Sequence, residues 1–385
     1  MKILFFQLKP TSYESYLYFS GALAAEFQKA GHETVFFRAA EEPLEAMERF
    51  RGQSFDAIID FNSMLPKVTT EDDGFFLDTI DAPFFNVILD HPLYHHNILK
   101  QELRNYHVLC LDKNHAAYLR GYYPHLKSVH VFPMTGSPAE PPVPFEEREY
   151  PLLFTGSYTS PAEVVDAITK IPDFMQAQVR ALIDRMTETP SLTIEAAALE
   201  LFSNTIVTEL FPLHLQSFFL ADTYLRAASR DRILHALVSS GLPVTLCGNG
   251  YEKAPFYREK NAVFLPEVSF PDTFSLMAHA KITLNILPLF KNGVHDRIFS
   301  AMLNGSAALT DRSAWLASHF KAEEQLFFYD DAMEAEDTLP ERIASLLASE
   351  EKIRAVAEAG KKEAFLHHTW KKRCEALTKI LTTLS

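Results

Sequence analysis

Apolar and polar positions alternate along the chain on two scales. Up to residue 133, short apolar runs recur at Ile3–Leu8, Thr34–Phe37, Ala57–Phe61, Phe84–Leu89, Val108–Leu111 and Val129–Phe132, and each reads as a strand. Between them lie helix-length segments with apolar residues at three- and four-residue spacing: 16–30, which stops at Gly31, then 42–50 and 114–122. Strands that are apolar throughout are buried on both faces. Their alternation with helices predicts a parallel sheet covered on both sides.

The pattern breaks at 136–151, where five prolines and four glutamates predict an exposed, stiff linker. A new strand follows at Leu152–Thr155, then a long helical stretch at about 161–240. The α/β alternation resumes with strands at Val244–Cys247, Val263–Leu265, Ile282–Ile286, Ala307–Thr310 and Leu326–Tyr329, and helices near Phe274, Phe299, Trp315 and Ile343. Two helices, 351–365 and 369–382, finish the chain. The expected organisation is a first Rossmann-like domain at 1–135, a linker at 136–151, a second at 152–350 with the helical insertion, and C-terminal helices at 351–385 crossing back to the first domain. A cleft between two such domains is the default ligand site.

A length of 385 residues also favours two domains, because single cores stop growing at roughly 250–300 residues. Thirty-six Lys and Arg against 50 Asp and Glu give a net charge of −14, which argues against a nucleic-acid surface or an anionic membrane as the main partner. Any anion must then be held at one local site. Three scattered cysteines, Cys110, Cys247 and Cys374, support neither a zinc cluster nor a disulfide framework, and the cytoplasm fits best. The N-terminal apolar run is too short for a signal peptide, and no stretch approaches about 18 apolar residues, so no integral membrane segment is expected.

Gly248-Asn249-Gly250 follows a strand and allows a tight turn where strand carboxyl ends face ligands. It lacks the dinucleotide fingerprint, and no Walker-type Gly-Lys-Ser/Thr occurs. A turn with no ligand explains it equally well. The segment from Asn285 to Asp311 says more, reading strand, loop, helix, glycine cap, strand. Gly293, His295 and Arg297 gather at the start of a helix that ends at Gly305, where helix amides and positive side chains suit a diphosphate. The competing explanation is a solvated helix start with a locally bonded histidine. Gly156-Ser157 opens the second domain at an analogous position, with backbone N–H groups that suit a phosphate.

The run Gly293-Val-His-Asp-Arg-Ile-Phe-Ser-Ala-Met-Leu-Asn-Gly305-Ser-Ala-Ala-Leu-Thr-Asp311 resembles the G-x-H-x-R-x-F-E-A-x-x-x-G-x-x-x-x-T-D signature of CgeB-like bacterial glycosyltransferases of the GT-B superfamily. By motif the likeness covers about 240–350, taking in Gly248 and Asn285. It implies a GT-B fold of two Rossmann-like domains facing across a cleft. It also implies a nucleoside-diphosphate-sugar donor held by the second domain, with Gly248, Asn249, Gly250, Asn285, Gly293, His295, Arg297 and Ser300 as candidate donor residues; Gly156 and Ser157 join them by their analogous position, and a UDP-sugar is the expected donor. Ser300 stands where the pattern has an acidic residue expected to hold the donor ribose, and offers one short hydroxyl in its place. The acceptor implied is a surface or flagellar protein, a polysaccharide or a small molecule.

In the first half, Asp90-His91-Pro-Leu-Tyr-His95-His96 follows a strand and sets a carboxylate and three imidazoles at its carboxyl end. Asp90 or His91 is the candidate base for an inverting transfer, and Asn62, His95 and His96 are candidate acceptor-side residues. A capping loop and a metal site compete with that reading. With no Asp-x-Asp in the chain, the expectation is a metal-independent transferase without cofactor, in which helix dipole and Arg297 act at the leaving diphosphate. A same-fold epimerase and a degenerate sugar-nucleotide binder or scaffold are the alternatives.

Overall fold

The computed structural model describes residues 1–8, 15–286, 289–329 and 338–384, so Leu287 and Pro288 of the motif segment lie outside it. The chain divides into two compact units, Met1–Met134 with Thr369–Ser385, and Thr135–His368.

The first unit contains β1 (Lys2–Gln7), β2 (Glu33–Arg38), β3 (Ala57–Phe61), β4 (Phe84–Ile88), β5 (Tyr106–Cys110) and β6 (Ser128–Val131). They form one sheet in the order β2-β1-β3-β4-β5-β6, parallel throughout. β3, β4 and β5 are buried at every residue, as their continuous apolarity predicts. Helices α1 (Ser15–Lys29), α2 (His96–Leu99) and α3 (Lys113–Tyr122) join them. The stretch expected as a helix at 42–50 is instead a run of 3-10 turns, Leu44–Phe50. Its two buried residues, Met47 and Phe50, are three apart, a spacing that the three-residue turn aligns on one face. The chain's last helix, Trp370–Leu384, packs on α1, with the Trp370 ring 5.7 Å from that of Phe19.

The second unit contains β7 (Tyr150–Thr155), β8 (Val244–Cys247), β9 (Ala262–Leu265), β10 (Ala280–Asn285), β11 (Ala307–Asp311) and β12 (Phe327–Tyr329). Their order is β12-β11-β10-β7-β8-β9, again all parallel. The crossover from β7 to β8 carries the helical insertion: α4 (Pro161–Thr169), α5 (Asp173–Glu188), α6 (Ile194–Phe202), α7 (Phe211–Ser217) and α8 (Phe219–Ser239). Then come α9 (Asp272–Ala278), α10 (Asp296–Leu303), α11 (Ala314–His319), α12 (Leu339–Leu347) and α13 (Glu350–His367). β7 shows how the layers form. Leu152 and Phe154 pack with Ile233 and Leu237 of α8, while Leu153 packs with Ile298 and Met302 of α10 on the other face. Each such buried side chain contributes roughly 1.5–3 kcal/mol.

Two details depart from the sequence expectation. Residues 136–151 are exposed at several positions but fastened to the end of α10. Asn304 donates through Nδ2 to the Ser137 carbonyl at 3.0 Å and accepts the Ala139 N–H at 2.6 Å. Arg148 donates to the carbonyls of Ala280 at 2.8 Å and Gly305 at 2.5 Å, and burial lowers its pKa to about 10. A cation beside carbonyls at a helix C-terminus is favourable. Of the segment 351–385, only the last helix joins the first unit. α13 stays with the second because Ile353, Val356 and Ala357 are buried in its core.

Candidate functional site

In the second unit the carboxyl ends of β7, β8 and β10 converge. β7 runs into Gly156-Ser157-Tyr158 and β8 into Gly248-Asn249-Gly250, and the two loops lie backbone to backbone. The Gly156 N–H donates to the Cys247 carbonyl at 2.8 Å and the Tyr158 N–H to the Asn249 carbonyl at 2.7 Å. Gly248 has φ +147°, and a Cβ there would sit 2.7 Å from the Gly156 carbonyl. Gly250 has φ +86°, and its Cβ would sit 2.2 Å from the Tyr158 carbonyl oxygen. Only glycine permits this approach. The Gly156 amide expected to meet a phosphate is thus engaged between the loops, as is that of Tyr158. From outside, Tyr251 donates to the Gly156 carbonyl at 2.6 Å and Arg230 of α8 donates to the Ser157 carbonyl.

Arg297 reaches this point from the first turn of α10. Its Nε donates to Thr155 Oγ1 at 3.2 Å and its Nη1 to Asn285 Oδ1 at 2.9 Å, across the ends of β7 and β10. Asn285 is oriented in turn, its Nδ2 donating to Thr310 Oγ1 at 3.0 Å while its carbonyl accepts from Tyr329 at 3.0 Å. Arg297 also lies over the Phe154 ring, at 5.5 Å.

His295 caps α10, its Nδ1 accepting the Arg297 N–H at 3.2 Å. The same nitrogen lies 3.1 Å from Asp296 Oδ1, the contact an imidazolium would make. With Nδ1 accepting the Arg297 N–H, the neutral ring carries its hydrogen on Nε2, and a third of the side chain is exposed. Gly293 is buried on the approach to this cap, its carbonyl accepting from Ser313 at 2.7 Å. The first-turn N–H of Arg297 is thus taken up by the His295 side chain and is not left bare.

Ser300 is not presented to a ligand. It is 1% exposed, its hydroxyl donates to the Asp296 carbonyl at 2.9 Å, and a Cβ on Gly136 would lie 2.2 Å from it. A glutamate would push the 136–139 segment off α10. The serine follows from that docking, and the ribose role expected of the position falls away.

In the first unit, Asn62 and Asp90 end neighbouring strands. Asn62 adopts φ 45°, its Oδ1 accepting the Leu89 N–H at 2.9 Å and its Nδ2 donating to Asp90 Oδ2 at 3.2 Å. Asn62 positions Asp90, which is half-buried. The histidines are placed differently from a cluster open to an acceptor. His91 is 7% exposed and caps the turn at Pro92–His95, its Nδ1 accepting the Leu93 N–H at 3.0 Å. The neutral ring then carries its proton on Nε2 and has no lone pair left for a base. His96 Nδ1 lies 3.0 Å from the Tyr123 hydroxyl. Burial lowers the pKa of both His95 and His96. Among the described residues no three His, Cys, Asp or Glu side chains gather as metal ligands, and no helix is long and apolar enough to cross a membrane.

Thr155, Thr310, Tyr251 and Arg230 were not foreseen. The two threonines end apolar strands and read as core, and Arg230 sits on a helix with no local mark of its role.

Residues 226–379 match the family described as Glycosyl transferase-like. No curated protein matches the chain by sequence. Among solved structures, an alpha-glucosyltransferase in complex with UDP aligns with a TM-score of 0.58 at 11% identity, over 99% of this chain and 100% of its own. Sucrose-phosphate synthase from Thermosynechococcus elongatus gives 0.57 at 10%, over 100% and 98%. Anabaena HepE in complex with UDP-glucose gives 0.53 at 12%, over 100% of both chains. The two six-stranded parallel sheets with their helices are the GT-B glycosyltransferase fold.

Proposed function

We propose that the chain is a glycosyltransferase that moves a sugar from a nucleoside-diphosphate sugar, a UDP-sugar in the first instance, to an acceptor hydroxyl in the cytoplasm. The observation that carries this reading is the Arg297 guanidinium fixed across the ends of β7 and β10, beside a glycine pair packed too closely for any side chain. The match of residues 226–379 to a glycosyltransferase-like family supports it. So does the fold shared with proteins solved with UDP and UDP-glucose.

As the sugar leaves, negative charge builds on the diphosphate. Arg297 and the His295 Nε2–H are donors fixed in advance for that charge, and they act without a divalent cation. The packed loops at Gly156 and Gly248 give the nucleotide a rigid floor. Gly293 and Asn285 act one step back, shaping the approach to the cap and aiming the guanidinium. Asp90, held by Asn62, takes the acceptor proton, and His91 maintains the turn that carries Asp90.

Calorimetric titration of UDP into the wild type and Arg297→Ala tests the donor half. Micromolar to low-millimolar binding that weakens at least tenfold in the variant supports the assignment. No binding to the wild type, or equal binding to both, removes it.

A further inference from the structure

A cavity of about 910 Å³ lies in the second unit, walled by α8, the end of α5, the loop after β10 and the start of α12. It is not the Arg297 site, but the two share elements. Asp231 on its wall accepts from the Tyr158 hydroxyl at 2.5 Å, bracing the Gly156–Tyr158 loop. Lys291 on its wall belongs to the loop that leads to His295. The volume is within the range that holds small-molecule ligands, roughly 300–1,000 Å³.

The lining sets the chemistry. Arg232 and Lys291 are balanced by Asp231 and Glu341, so the walls carry no net charge to select an ion of either sign. Tyr224 and Ser229 add hydroxyls among apolar side chains. Ser229 is 7% exposed, and its Oγ has no hydrogen-bond partner. Leaving such a group unsatisfied is unfavourable, and a ligand hydroxyl bonding to it removes that penalty. Donors and acceptors of both kinds, balanced charge and interspersed apolar surface suit a neutral polyhydroxylated ligand.

We infer that this cavity binds a neutral saccharide. On the glycosyltransferase reading above, it is a docking subsite for a glycan acceptor, set in the helical insertion apart from the donor.

The test is an array of neutral, sialylated and sulfated oligosaccharides probed with the labelled full chain. The strongest neutral binder is then titrated into wild type, Ser229→Ala and Tyr224→Ala, with UDP titrated in parallel. The expected result is that a neutral oligosaccharide binds without nucleotide. Ser229→Ala should weaken it about fivefold and Tyr224→Ala at least tenfold, with UDP affinity unchanged in both. Ser229→Ala removes an unsatisfied hydroxyl, so its melting temperature should not fall, which separates lost recognition from lost folding. No neutral binder, binding confined to the charged glycans, or sugar binding indifferent to both substitutions overturns the inference. If UDP still binds, the donor reading survives that failure; loss of UDP binding alone leaves a saccharide site on a protein that is not a transferase.

Discussion

Arg297 donates through Nη1 to the side-chain carbonyl of Asn285 at 2.9 Å. The Thr310 hydroxyl accepts from the Asn285 amide nitrogen at 3.0 Å, which fixes the oxygen toward the arginine. A neutral amide orients the guanidinium without cancelling its charge, as a carboxylate in that place would. The polar ends of β10 and β11 therefore aim a cation at the carboxyl edge of the sheet.

Arg297→Ala should cost about 2–4 kcal/mol of transition-state stabilisation, the usual size for one preorganised donor at developing negative charge. Asn285→Asp, nearly identical in shape, should move kcat/KM in the same direction by neutralising Arg297. Steady-state kinetics on both variants, with melting curves to establish folding, check the pair.

Metal removal gives a second expectation. Because Arg297 supplies a positive group and His295 a further hydrogen-bond donor, turnover should survive excess EDTA. Complete loss on chelation, with recovery on adding Mn²⁺ or Mg²⁺, would contradict this.

Asp90 and His91 adjoin in sequence but should separate in experiment. Asp90→Asn keeps a partner for Asn62 and should lower kcat at least a hundredfold with UDP affinity intact. His91→Ala removes a helix-cap acceptor, a change worth about 1 kcal/mol, and should appear as a lower melting temperature. Equal effects of both on turnover and stability would return them to one role.

Asp60 in β3 predicts a pH dependence of stability. It is 2% exposed, and burial raises its pKa from 3.8 to about 7, with Ser63 and the Phe61 N–H offsetting only part. The folded state holds this proton more tightly than the unfolded chain. Its contribution is therefore present in full below about pH 4 and lost as pH rises to about 7, at about 1.4 kcal/mol per unit. Asp60→Asn should thus gain stability relative to wild type between pH 5 and pH 8. Urea unfolding of both proteins at the two pH values measures it, and a gap that does not widen would place Asp60 ionised in the fold.

Much of this was legible because parallel strands buried on both faces must be apolar end to end, as β3, β4 and β5 are. Arg297 could be placed from its position at a helix start after a strand. The docking of 136–151 was not legible, since Arg148 and Asn304 bond largely to backbone carbonyls that carry no mark in the sequence. His91 reads in the sequence equally as chemistry or as a cap, and Pro92 behind it, a first-turn proline after an N-cap, is the local mark of the capping role the structure gives it. Ser300 shows the same limit, because its neighbour Gly136 is far away in the chain.

A glycosyltransferase of this kind takes its sugar from a nucleoside-diphosphate sugar. Incubating it with UDP-, GDP- and dTDP-sugars and measuring released nucleotide tests that most directly. Release is expected from at least one donor, a UDP-sugar first, by the wild type and not by Arg297→Ala. Nucleotide binding without release or transfer would mean a degenerate binder, conversion to an epimeric sugar nucleotide would mean an epimerase, and release unaffected by Arg297→Ala would contradict the site itself.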